Sequence, residues 1–254
     1  MLSNQPFTLT GESDRACLLL HGLGGGAYEM QDLGVHLHQQ GWTVRCPLYP
    51  GHDRPLPAMP DSTWQQWYEC ALNEYRQLAE DYERIAVVGF STGCLLGLHL
   101  AASQPISKLI LLAPYLLLRR QWYYLIPLEV YLFSIGRFIK DLPRLRLPIR
   151  DREMERAARE VVFFQTFNLN AVRSASELIE IVKQELPEIQ VPTAIVQSRA
   201  DTVVDPSGAE YLQQVMGARV QKLQWLEDSD HIITLDGDRE QVFGEVSAFL
   251  AHEH

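Results

Sequence analysis

Paired cysteines, an unbroken apolar span and an excess of basic charge are all missing from this 254-residue sequence, and each absence closes off a class of protein. The four cysteines, Cys17, Cys46, Cys70 and Cys94, are scattered with no CxxC spacing. Neither a disulfide scaffold nor a thiolate metal site is indicated, and buried free thiols are expected. The most apolar stretch, residues 122–139, is broken by Pro127, Glu129, Gly136 and Arg137, so no transmembrane helix is expected. The amino-terminal segment has no basic stretch followed by an apolar run and a cleavage site, which predicts a cytoplasmic location. Acidic residues outnumber basic ones, 32 to 22, for a formal net charge of −10. A chain of that sign has little attraction for phosphate backbones, and nucleic acid is not an expected partner. Internal repeats and low-complexity tracts are also absent.

What is present is alternation. Short apolar runs at 16–20, 43–48, 84–90, 108–113, 193–197 and 220–226 read as strands. Helix-like segments at 29–40, 64–82, 92–103, 171–186, 206–216 and 239–251 fall between or after them. Asp61, Ser62 or Thr63 can cap the second of these helices. Strand and helix in turn predict an α/β fold, a mostly parallel sheet with helices on both faces. The pattern breaks at 115–170, which reads as two or three helices separated by Pro143 and Pro148. The expected organisation is one domain over 1–254. A helical cap at 115–170 is inserted between core segments 1–114 and 171–254.

Four elements carry chemistry. Gly89-Phe90-Ser91-Thr92-Gly93 matches G-x-S-x-G between a strand and a helix, where glycine on either side of a strained turn lets the serine hydroxyl stand clear. His21 to Gly26 (HGLGGG) follows the first buried strand. Its loop can offer the Leu23 N–H, and the start of the helix after Ser91 the Thr92 N–H, to an oxyanion. The same loop fits a dinucleotide fingerprint, but residues 41–51 lack the acidic residue that fingerprint needs. Asp201 follows a late strand with no helix between. Its neighbour Asp205 precedes Pro206 and a helix, which suits a cap. His231 lies in the loop after the last strand, completing the order serine, aspartate, histidine. His21 and His52 are expected to hold loops. His36 and His38 fall on different sides of one helix and make no metal pair.

The runs CLLLHGLGG, PLYPGHD, AVVGFSTG, VPTAIVQSRADTVVDP and SDHIITLD together resemble bacterial carboxylesterases related to monoacylglycerol lipases, members of the α/β-hydrolase superfamily. The resemblance implies Ser91 as nucleophile, Asp201 as acid and His231 as base, with the Leu23 and Thr92 N–H groups as oxyanion hole. It implies hydrolysis of short- to medium-chain carboxylic esters or monoacylglycerols, with a small-molecule ester as partner and no cofactor or metal. Such relatives usually carry Leu or Met and a second glycine where this chain has Thr92 and Cys94. Acyl transfer, amide hydrolysis or carbon–carbon cleavage would use the same triad, and a lapsed, non-catalytic binding protein would use none of it.

Residues 119–159 hold ten Lys or Arg against five Asp or Glu, together with Trp122, Tyr123, Tyr124, Tyr131, Phe133 and Phe138. Two expectations follow. The rings can pack over the core while the arginines pair with an acidic body. Alternatively, an apolar roof with a basic rim can bring the cap to lipid surfaces.

Overall fold

A computed structural model describes residues 1–117 and 140–252. The six rings from Trp122 to Phe138 lie outside the described residues, as does the middle of the expected insertion.

The chain opens with strand β1 (Phe7–Leu9) and strand β2 (Arg15–Leu20), then helix α1 (Gln31–Gln39) and strand β3 (Thr43–Cys46). Helix α2 (Trp64–Asp81), strand β4 (Arg84–Phe90), helix α3 (Thr92–Ser103) and strand β5 (Lys108–Leu112) complete the first half. Within the expected insertion come strand β6 (Asp141–Pro143), helix α4 (Arg152–Val161) and strand β7 (Thr166–Asn168), and at its end helix α5 (Leu169–Glu185). Strand β8 (Thr193–Ser198), helix α6 (Ser207–Met216), strand β9 (Val220–Leu226) and helix α7 (Arg239–Ala251) close the fold.

Seven strands form one sheet in the order β1-β3-β2-β4-β5-β8-β9, parallel throughout except for β1 at its edge. Side chains alternate across it, as a period of two requires. Leu18, Leu20, Val87, Leu109, Leu111 and Ile195 face one core. Cys17, Leu19, Val88, Ile110, Leu112 and Val196 face the other. Because both faces are covered, the central strands read as continuous apolar runs. The first core is covered by α2, α3, α5 and α6, the second by α1 and α7. Thr63 caps α2 through a capping box, its N–H donating to the Gln66 side chain at 2.9 Å. Its alternatives are used elsewhere: Ser62 accepts from the Trp67 indole, and Asp61 from Asn168 and Asn170. All four cysteines are free, three of them buried and Cys70 half-buried.

Two features differ from the sequence reading. β1 was not expected, because three residues hold too little alternation to register; Phe7 pairs with Cys46 at the sheet edge. The segment at 115–170 is not helical throughout. β6 and β7 form a separate antiparallel pair, with Pro143 at its end opposite Thr166. Such a strand is specified by a partner some 25 residues away rather than by local pattern. Among the described residues, no helix is long and apolar enough to cross a membrane.

Candidate active site

Strand register decides which loops meet. Leu20 pairs with Gly89, so the loops after β2 and β4 leave the sheet side by side. This is where strand order reverses, the position at which open α/β sheets bind ligands. Ser198 pairs with Leu226, so the loops after β8 and β9 also leave together.

Ser91 sits between β4 and α3 at φ 53°, ψ −115°, a conformation that side chains rarely adopt. The turn is tight enough that a Cβ at Gly89 would lie 2.4 Å from the Gly93 carbonyl oxygen. One at Gly93 would lie 2.1 Å from that of Leu20. Both glycines are therefore required by close backbone approach, as the motif predicts. Cys94, one residue on, fills its site by donating its thiol to the carbonyls of Gly89 and Leu112.

The structure brings the three distant side chains together. His231 Nε2 is 2.9 Å from Ser91 Oγ, and His231 Nδ1 is 2.7 Å from Asp201 Oδ2. Asp201 is fully buried. Its Oδ1 accepts the N–H groups of Val203 and Val204, and Gln197 donates to its Oδ2 at 3.2 Å. Burial alone would push this carboxyl up. The His231 charge and hydrogen bond, with the two N–H donors, outweigh burial and hold it below the ordinary carboxylate value. For His231, burial pulls the imidazole down, but the charge and hydrogen bond of Asp201, then Glu29 and Asp230, raise it above the ordinary histidine value. Asp205 stands apart, its carboxylate accepting the N–H and hydroxyl of Ser207 in the first turn of α6.

Leu23 and Thr92 line the same cavity of about 550 Å³ as Ser91 and His231. Gly25 N–H closes a turn onto Gly22 O, with Leu23 second and Gly24, at φ +66°, third, the conformation a type II turn needs there. Thr92 begins α3, where the N–H groups have no partner within the helix. His52 and His21 hold this region. His52 Nε2 accepts the Gly24 N–H, and His21 Nδ1 contacts Gly22 O. Burial pulls His21 down to about 4 and His52 well down, so both stay neutral. Among the described residues, no cluster of His, Cys, Asp and Glu could hold a metal ion.

Several contributors escaped the sequence reading. Asp230 accepts the Thr202 N–H and hydroxyl, tying the His231 loop to the Asp201 loop. Asp236, fully buried, accepts the N–H groups of Arg150, Asp151, Asp230 and Gly237 and so binds the His231 loop to the segment just before α4. Arg144 stacks on Phe167 and donates to Gly24 O. The acid-rich run from Glu227 to Asp238 was a visible signal, but only the fold shows which backbone groups these carboxylates reach.

The chain is 27% identical over 251 residues to a carboxylesterase of Bacillus subtilis (strain 168), covering 98% of this chain and 97% of that protein. It is 26% identical over 237 residues to a thermostable monoacylglycerol lipase of Bacillus sp. (strain H-257), covering 92% and 89%. The fold superposes on the crystal structure of a monoacylglycerol lipase from Paleococcus ferrophilus with a TM-score of 0.80 at 17% identity, covering 98% of each chain. Residues 11–238 match the model of the Hydrolase_4 family, described as serine aminopeptidase, S33, and the chain belongs to that family of α/β-hydrolases.

Proposed function

We propose that this protein is a serine carboxylester hydrolase that works through an acyl-enzyme on short- to medium-chain esters or monoacylglycerols. Ser91 Oγ attacks the ester carbonyl while His231 Nε2 takes its proton. Asp201 holds the imidazole tautomer and stabilises the imidazolium. The N–H groups of Leu23 and Thr92 receive the developing oxyanion. His231 then protonates the leaving alcohol, and a water activated by the same nitrogen releases the acid. The observation that carries this reading is the continuous relay from Asp201 through His231 to a hydroxyl held on a strained elbow.

The cavity supports the substrate class. Leu23, Phe90, Tyr115, Phe167, Val203 and Ile232 give it apolar walls suited to an acyl chain, beneath the roof expected of the insertion. The family's description raises a peptidase alternative. An aminopeptidase must hold a substrate ammonium, whereas among the described residues this cavity wall carries Arg144 and Arg146 against one carboxylate, Glu29, which already accepts from Gly22. The basic insertion is also the part of the molecule suited to meeting a lipid surface.

The test is a panel of p-nitrophenyl esters, monoacylglycerols and aminoacyl p-nitroanilides, with Ser91→Ala as control. Each buried methylene adds about 0.8 kcal/mol, so kcat/KM should climb about fourfold per carbon until the cavity fills. Ser91→Ala should lose about 10⁴- to 10⁶-fold in kcat. Faster turnover of the anilides than of the esters would overturn the ester reading.

A further inference from the structure

Glu29 is an ionisable residue buried where the reaction as described does not call for one. It ends the short 3-10 turn Ala27–Glu29 that follows the Gly22–Gly26 loop, and only 4% of it is exposed. Its carboxylate doubles back under that loop. Oε2 accepts the Gly22 N–H at 2.9 Å, the Gly26 N–H also turns to the group, and the Tyr28 hydroxyl lies 3.5 Å from Oε1. A Cβ at Gly25 would sit 2.1 Å from Oε1, so the loop is wrapped closely around this carboxylate. The glycine run thus serves a second purpose besides the turn: it makes room for an acid.

The contacts around Leu23 show what the acid accomplishes. Leu23 lies between two glycines whose backbone groups are each engaged. Gly22 N–H donates to Glu29, and Gly22 O accepts from Gly25. Gly24 N–H donates to His52, and Gly24 O accepts from Arg144. A glycine rotates more freely than any other residue, and Gly22 directly precedes the peptide that carries the Leu23 N–H. Removing the acceptor of the Gly22 N–H would leave that peptide held only through Gly22 O, by Gly25 and His21, and would leave a buried donor unsatisfied.

We propose that Glu29 is a positioning residue of the reaction, its carboxylate fixing Gly22 so that the Leu23 N–H stays aimed at the oxyanion. The inference rests on the ester-hydrolase reading and the oxyanion role of Leu23 given above. In this role Glu29 acts by reach rather than by charge, and kcat read at a pH above the His231 midpoint keeps its charge effect on the imidazole out of the comparison of three substitutions. Glu29→Gln keeps both the length and an acceptor oxygen. Glu29→Asp keeps the charge but is one methylene too short. Glu29→Ala removes both.

The experiment measures kcat and KM for p-nitrophenyl butyrate, together with Ki for a trifluoromethyl ketone, whose tetrahedral adduct places an oxyanion in the same site. Glu29→Ala and Glu29→Asp should each lose about 10- to 100-fold in kcat, approaching the loss of one oxyanion donor, with KM within about threefold. Ki should rise in proportion to the loss in kcat. Glu29→Gln should stay within about fivefold of the parent in both. If Glu29→Ala fails to fold, the Asp and Gln pair decides the question alone. Asp matching the parent, or Gln falling as far as Asp, overturns the inference, and so does a loss carried by KM with Ki unchanged. Ser91→Ala, run alongside, keeps the two ideas apart. If it is inactive while the Glu29 variants behave as the parent, only the positioning role fails; if it is active, the underlying reading fails as well.

Discussion

At the scale of single residues, two aspartates four positions apart do different work, and the difference is one of partners. Asp201 is buried, accepts two backbone N–H groups and faces His231 at 2.7 Å; Asp205 caps a helix at the surface. Asn caps a helix about as well as Asp. Asp205→Asn should therefore stay within a few-fold of the parent kcat, whereas Asp201→Asn should lose several orders of magnitude. The two variants should also differ in their pH profiles. The neutral imidazole is the active form and its pKa is raised, so activity should grow as pH rises through a midpoint above the unperturbed histidine value of about 6.5. In Asp201→Asn the largest upward influence is gone, and the residual activity should have a lower midpoint. An unchanged midpoint in that variant, measured as kcat/KM against pH, would detach Asp201 from His231. The sequence supplied both aspartates and the reason to prefer the first. It could not supply the direction of the histidine shift, which depends on Glu29 and Asp230 as well as Asp201.

Elements hold the site through close backbone contact. The strand-to-helix turn at Ser91 lets β2 and α3 approach so nearly that Gly93 has no room for a side chain, the nearest obstacle being the backbone of Leu20. Gly93→Ala must move β2 or α3, and overpacking of this kind costs about 1–3 kcal/mol or more. Gly97, one turn further along α3, offers a contrast. Its Cβ would meet the Leu109 side chain at 3.2 Å, which can yield, and alanine is the better helix former by about 1 kcal/mol. Urea unfolding should show Gly93→Ala destabilised and nearly inactive, with Gly97→Ala within about 1 kcal/mol of the parent. Equal stability of the two would mean that the elbow tolerates a side chain. Most elements were legible because their signals are local: apolar runs for buried strands, caps and period for helices. β1 and the β6–β7 pair were not, since three-residue strands exist only through partners distant in sequence.

For the whole molecule, the question is what the uneven charge does. The chain carries −10 in all, yet residues 119–159 are locally basic. In the described part of that segment three arginines touch the body of the protein, Arg144 half-buried and Arg146 and Arg150 exposed. Arg144 reaches Gly24 O, Arg146 lies 3.4 Å from Thr202 Oγ1, and Arg150 donates to Glu227 O. Of the three, Arg146 also lies 3.9 Å from the Asp230 carboxylate, the acidic pairing of the first expectation, while Arg144 and Arg150 meet uncharged oxygens. The lipid-facing expectation then rests on the remaining cations and on the rings from Trp122 to Phe138. It makes a whole-protein prediction. At low ionic strength the enzyme should co-sediment with vesicles containing anionic lipid and not with neutral ones. It should be released as the screening length falls to about 3 Å near 1 M salt. Absence of sedimentation with anionic vesicles at low salt would leave the insertion only a roof.

What the sequence determined by itself was whatever short stretches of chain dictate. These were the succession of strands and helices, the elbow glycines, and the order Ser91, Asp201, His231, each after a strand. The first two follow from sterics or periodicity within a few residues, the third from the order that the family resemblance implies. What only the tertiary structure decided was which groups meet across long separations. The relay itself spans 140 residues between Ser91 and His231, and Arg144 reaches Gly24 across 120. Glu29, though only seven residues from Gly22, turns back on it beneath the loop, where the Gly26 N–H and the Tyr28 hydroxyl also meet its carboxylate. Burial and electrostatic neighbours are sums over the whole fold, and no local pattern in the chain encodes them.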